Sequence, residues 1–210
     1  LKWDFRGAFH DVSTAVAASF LDQKMDLIGH SFGASVALRL AVEHPDLVRS
    51  LILIEPVIFS LGFAYEPASK NAFLQDHAEF DRAIACDEFV SAARAFHQIW
   101  GSGQSWDRLP DKVKRGMVDK IHLIPAAASH VVEDAYGFCT AGLLEKIEAP
   151  VLLLQGSASS APMPAVISSL QSRLPRCLVK TLEGAGHMAL ITHAKATAVL
   201  IQSFLKNHPV

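Results

Sequence analysis

The 210-residue sequence predicts an α/β fold: a mostly parallel sheet flanked by helices, with a helical lid inserted into it. Three observations carry this. Leu51-Ile52-Leu53-Ile54 and Val151-Leu152-Leu153-Leu154 are continuously apolar, as strands buried on both faces of a parallel sheet are. A shorter run from Met25 to Ile28 passes straight into Gly29-His30-Ser31-Phe32-Gly33 and then into a helical pattern. Between residues 61 and about 140 no strand-like run occurs, while several helical patterns do.

In chain order, His10 to Leu21 reads as a helix with Val12, Ala15, Val16, Ser19 and Phe20 on an apolar face. Met25 to Ile28 is a short strand. The helix after it is apolar nearly all round (Ala34, Val36, Ala37, Leu38, Leu40, Ala41, Val42) and is therefore buried. His44-Pro45 ends it, and the strand Leu51–Ile54 follows. Helical patterns then cover Ala68 to Phe80 and Asp87 to Trp100, the latter with Asp87 as N-cap and Gly101 as stop. Two more open at Pro110 and Pro125. The sheet pattern returns with Val151–Leu154, an amphipathic helix through Val166, Ile167, Leu170 and Leu174, and an alternating strand from Cys177 to Leu182. A last helix runs from Ala194 to Leu205. The expected division is a core of residues 1–60 and 141–210 with a helical lid or cap at 61–140, a stretch too long for an ordinary loop. A plain helical extension of the core is the alternative reading. Its aromatics, among them Phe63, Phe73, Phe96, Trp100, Trp106 and Phe138, are as compatible with core as with a pocket. The place where the insertion leaves the sheet, beside the Gly-x-Ser-x-Gly turn, favours a lid.

Composition narrows the function. The chain is 50% hydrophobic and 19% charged, with a net charge of −2 and scattered Lys and Arg, which points away from nucleic acid and anionic membrane as partners. The apolar runs are strand-sized and far too short to span a bilayer. Three widely spaced cysteines (Cys86, Cys139, Cys177) read as reduced residues of a reducing compartment, so the expected location is cytoplasmic. No HExxH motif or close Cys/His cluster suggests a metal.

Chemistry gathers on three residues. Gly-x-Ser-x-Gly between a strand and a helix is the pattern of a nucleophile elbow, with Ser31 at a strained turn and the Phe32 N–H facing a developing oxyanion. Gly29 and Gly33 are both expected at points of close backbone approach. An inert serine in a tight turn is the alternative. Serine needs a base, and His187, in Gly184-Ala185-Gly186-His187-Met188 after the last strand, is the leading candidate. His30 lines the pocket or packs under the elbow; His97, His130 and His193 are not selected by any pattern. The base needs a carboxylate. The loop Gly156-Ser157-Ala158-Ser159-Ser160-Ala161-Pro162 has none, whereas Glu55 ends a buried strand just before Pro56. Glu55 is therefore assigned as the acid; a hinge cap for the insertion is the other reading, and Glu183 is a weaker rival.

Together these stretches resemble the α/β-hydrolase superfamily over nearly the whole chain. The resemblance implies Ser31 as nucleophile, His187 as base, Glu55 as an acid in the less usual place, and Phe32 as one oxyanion donor, with no cofactor and no metal. His30, Phe96, Trp100 and Met188 are the expected substrate-binding residues. Family members carry further strands before the elbow and a loop with a second oxyanion N–H. Asp4-Phe5-Arg6-Gly7 resembles the region after the family's fourth strand, so the expectation is an N-terminally truncated domain whose elbow strand has an unpaired edge. The implied activity is hydrolysis of an ester-type acyl bond in a small to medium, partly apolar molecule. C–C bond hydrolysis or a perhydrolase-like reaction on the same triad is the alternative, and a non-catalytic binding or receptor-like role is the alternative of another class.

Overall fold

A computed structural model describes residues 7–208. Its sheet has four strands in the order β1 (Met25–His30), β2 (Val48–Ile54), β3 (Val151–Gly156) and β4 (Cys177–Leu182), all parallel. Strands adjacent in sequence are therefore adjacent in space, and all four end on the same edge.

Helices α1 (Phe9–Ala18) and α2 (Phe32–Glu43) flank β1 in sequence. The segment between β2 and β3 carries α3 (Phe59–Tyr65), α4 (Ala68–Ala85), α5 (Phe89–Trp100), α6 (Asp111–Val118) and α7 (Leu123–Val131). Helix α8 (Met163–Arg173) joins β3 to β4, and α9 (Ala189–Thr192) and α10 (Ala194–Lys206) close the chain. The Leu51–Ile54 run is apolar throughout because both faces of β2 are covered. Leu51 and Leu53 lie in one core cluster with Ala34, Leu38 and Ala41 of α2 and Val166 and Leu170 of α8, whereas Ile52 and Ile54 lie in another with Phe204 of α10. Each such side chain contributes roughly 1.5–3 kcal/mol by leaving water. Strand β4 is half-covered: Cys177 and Val179 lean on the core, and Leu178 is exposed.

Two local expectations are corrected. The buried residues of α1 are His10 and Thr14, not the Val12–Phe20 stripe; Ala15 and Ser19 are exposed, and Phe20 lies beyond the helix, 72% exposed. The polar pair is tolerated because it is bonded: His10 Nε2 lies 3.1 Å from Ser35 Oγ, and Thr14 Oγ1 donates to the His10 carbonyl at 2.9 Å. Asp87 caps no helix through its side chain; it sits at φ 56° in the turn between α4 and α5, and Glu88 directly precedes α5.

Among the described residues no strand precedes Met25, and β1 pairs only with β2. Ile28 on β1 is 53% exposed. Residues 4–6 of the Asp4–Gly7 stretch lie outside the described residues. No helix of the described residues is long and apolar enough to cross a membrane.

Candidate active site

The ends of β1 and β2 are stitched together beyond the strands proper. The Ser31 N–H donates to the Ile54 carbonyl at 2.9 Å, and the Glu55 N–H donates to the Leu154 carbonyl at 2.8 Å. Ser31 and Glu55 thus sit at neighbouring strand ends. Both have positive φ, 56° for Ser31 and 50° for Glu55, in the region that side chains with a Cβ rarely occupy. Such backbone strain persists only where the surroundings hold it. At Ser31 the hold comes from close packing at Gly29, where an added Cβ would meet the Gly33 carbonyl oxygen at 2.3 Å and Ala34 Cα at 2.6 Å. Gly33 is different: a Cβ there meets nothing within 4 Å. Only the first of the two glycines is demanded by close approach, since Gly33 already belongs to α2 and faces open space.

Three side chains converge at this edge. His187 Nε2 lies 2.9 Å from Ser31 Oγ, and His187 Nδ1 lies 3.2 Å from Glu55 Oε2. With the proton on Nδ1, the imidazole donates to Glu55 and accepts from the serine hydroxyl, so one tautomer satisfies both contacts. Glu55 is fully buried, and an unpaired carboxylate there would be strongly unfavourable. Its other oxygen accepts two hydrogen bonds at 2.7 Å each, from the Gly156 N–H and from Ser159 Oγ. Both donors come from the end of β3 and the loop after it. That loop carries no carboxylate of its own but clamps the one supplied by β2. Nothing in the one-dimensional pattern picks out Ser159, one of three serines in that loop.

The loop bearing His187 is fixed in turn. Ala158 N–H donates to the Ala185 carbonyl at 2.9 Å, and a Cβ on Gly156 would strike that same carbonyl oxygen at 2.0 Å. His30 Nε2–H donates to the His187 carbonyl at 2.8 Å, with the two rings 5.0 Å apart. Burial holds the His30 imidazole below its ordinary value, which keeps it neutral. His30 therefore ties down the backbone of the histidine loop. Trp100 is brought to the site: its indole meets the His187 ring at 4.8 Å and 70°. Phe96 packs against both the core cluster that holds Trp100 and a second cluster within the insertion. Its ring packs on Phe80 at 5.7 Å and borders an open groove with Val113, Met117 and Ile124. Met188 is half-buried and immediately precedes α9. Phe32 is the first residue of α2, and its ring stacks on Phe9 at 5.2 Å.

His97 and His130 lie in other networks, His97 Nε2 on the Gln104 carbonyl at 2.8 Å and His130 Nε2 on Asp11 Oδ1 at 3.1 Å. His10, Asp11 and His130 bring one ligand atom each within 4.8 Å of one another. The Arg39 guanidinium is already among them, ion-paired to Asp11 and 3.4 Å from His10 Nδ1. A fixed cation in that position disfavours a metal ion.

A family model described as the alpha/beta hydrolase fold matches residues 3–194. The chain belongs to the α/β-hydrolase fold family. Among curated relatives of this α/β-hydrolase chain, a pimeloyl-[acyl-carrier protein] methyl ester esterase of Neisseria meningitidis serogroup A is 31% identical over 206 residues. That match covers 91% of this chain and 60% of the esterase, so the chain spans well under the relative's full length. A 2-hydroxymuconate semialdehyde hydrolase of Pseudomonas putida is 25% identical over 193 residues, covering 87% of this chain and 63% of that enzyme. Among solved structures, MenH from S. aureus superposes with a TM-score of 0.66 at 18% identity, over 99% of this chain and 79% of that one. At that identity the likeness is one of fold.

Proposed function

We propose that this chain hydrolyses a carboxylic ester-type bond through a covalent acyl-serine intermediate. The observation that carries the reading is the hydrogen bond between Ser31 Oγ and His187 Nε2, with His187 backed by Glu55. His187 takes the serine proton as Oγ attacks the carbonyl carbon, and the Phe32 N–H, at the head of α2, stabilises the oxyanion. The imidazolium then protonates the leaving alcohol, and water repeats the sequence on the acyl-enzyme. Glu55 holds the tautomer and stabilises the imidazolium. Chemistry on this path requires neither metal nor organic cofactor. The ester substrate is small to medium and partly apolar, in keeping with Trp100 and the Phe59 and Phe73 rings behind it. Relatives named as esterases support ester hydrolysis as the first assay, with methyl esters of medium-length acyl chains at the head of the panel. C–C bond hydrolysis on the same three residues is the second reading, supported by the relative named as a semialdehyde hydrolase.

The test is labelling with a fluorophosphonate, followed by a panel of methyl esters and of C–C-cleavable diketones. Covalent modification at Ser31 and turnover of the esters are expected. Modification that persists unchanged in His187→Ala would remove His187 from the role of base.

A further inference from the structure

Helices α4 and α5 carry a polar contact that ends on the His187 ring. Trp100, the last residue of α5, donates its indole N–H to His77 Nε2 at 3.0 Å. His77, on α4, donates its Nδ1–H to the Phe73 carbonyl at 2.8 Å. Both side chains are buried, His77 to 6% and Trp100 to 5% exposure. The arrangement needs one tautomer, neutral with its proton on Nδ1, so that Nε2 keeps a lone pair for the indole. Burial pushes the imidazole below its ordinary value despite the opposing hydrogen bond to the Phe73 carbonyl and the charges of Asp81 and Asp76, which keeps that lone pair available. Phe73 stacks on the His77 ring at 3.9 Å, and Phe59 packs on the indole at 5.6 Å. The indole is thus held on two sides and presents itself to His187.

The two hydrogen bonds of His187 fix the imidazole along the line joining its nitrogens. They leave tilting about that line unrestrained. A ring packed at a steep angle restrains this motion, and among the described residues Trp100 and His30 are the rings that meet His187. Resting on the Ser31–His187–Glu55 reading, we propose that His77 is a positioning residue: by accepting the Trp100 indole N–H it locks the indole against His187 and keeps the base aligned with Ser31. The helical insertion thereby sets the geometry of the base.

His77→Phe keeps an aromatic ring against Phe73 and removes both the acceptor for the indole and the donor to the Phe73 carbonyl; His77→Gln keeps an acceptor and a donor. Fluorophosphonate inactivation separates reaction from binding, as kinact and KI. For His77→Phe, kinact is expected to fall on the order of tenfold with KI unchanged, because a buried indole N–H is left unpaired and the ring loses its anchor. His77→Gln is expected to stay within about threefold of the native rate. Trp100→Phe should lower kinact similarly and erase the difference between the His77 variants, so the proposal stays testable if His77→Phe does not fold. Equal kinact in native protein and His77→Phe, an equal fall in the Phe and Gln variants, or a native rate in Trp100→Phe overturns the positioning role. Absence of labelling at Ser31 in the native protein instead overturns the triad itself, and the positioning role with it.

Discussion

At Glu55 a carboxylate at 0% exposure receives a hydrogen bond from His187, another from the Gly156 backbone and a third from Ser159. Buried charge is tolerable only when its lone pairs are this well occupied. On the proposed mechanism, Glu55→Gln keeps the shape and loses the charge; kcat in an ester assay should fall by on the order of 10³-fold or more. Ser159→Ala removes one of two donors on the remote oxygen, and kcat/KM should fall about tenfold. Near-native turnover in Glu55→Gln would place the acid elsewhere. Ser31, Glu55 and His187 could be picked out in the sequence because each ends a strand or sits in a glycine-bracketed loop. Ser159 and His77 could not. Their partners lie 104 and 23 residues away, and a small hydroxyl in a loop or a histidine on a helix face has no signature until the fold brings the partner near.

The elements around the elbow divide the work unequally between two glycines. Replacing Gly29 by alanine drives a Cβ into backbone atoms that have no room to move, and soluble, folded protein should be lost or its Tm should drop steeply. Gly33→Ala, in open space within α2, should raise stability by about 0.5–1 kcal/mol, read by chemical denaturation. A sequence motif treats the two glycines as equals; only coordinates reveal which one is under steric demand. Helix α1 shows the same limit. Apolar periodicity pointed to Val12 and Phe20, but the helix docks through His10, which stacks on His130 of α7 at 4.7 Å and bonds Ser35 of α2. Burial, with the charges of His130 and Arg39 helping, lowers the His10 pKa from 6.5 to about 4. The folded value lies below the unfolded one, so the unfolded chain binds the extra proton between these limits. Stability is therefore fully present above about pH 6.5 and declines as pH falls toward 4, by up to about 3 kcal/mol for this group. Thermal melts at pH 7 and pH 5 should show a larger drop for native protein than for His10→Gln.

For the whole molecule, the order of strands and helices was readable because continuous apolar runs, alternating runs and helical stripes differ in period. That β2 and β3 pair directly was not legible, because the whole segment carrying α3 to α7 separates them in sequence. What could not be read was how the insertion folds back, since that depends on aromatic contacts between helices far apart in sequence. Strand β1 lies at the edge of the described sheet, with Ile28 half in solvent. An exposed apolar edge strand invites pairing with another chain. Ile28→Lys should lower concentration-dependent self-association in sedimentation velocity, with the fold unchanged by circular dichroism; identical association in both proteins would show that the edge is not the contact.

Ser31, Glu55 and His187 all lie outside the segment that carries α3 to α7, while His77 and Trp100 lie within it. Glu55 stands four residues before the segment's first helix, and no member of the triad would be lost if the whole segment were exchanged for another. On the proposed reading, the residues of the reaction and the pair that positions its base lie on separate segments of the chain. A graft of a foreign insertion between β2 and β3 would, on that reading, keep Ser31, Glu55 and His187 and lose the Trp100–His77 pair.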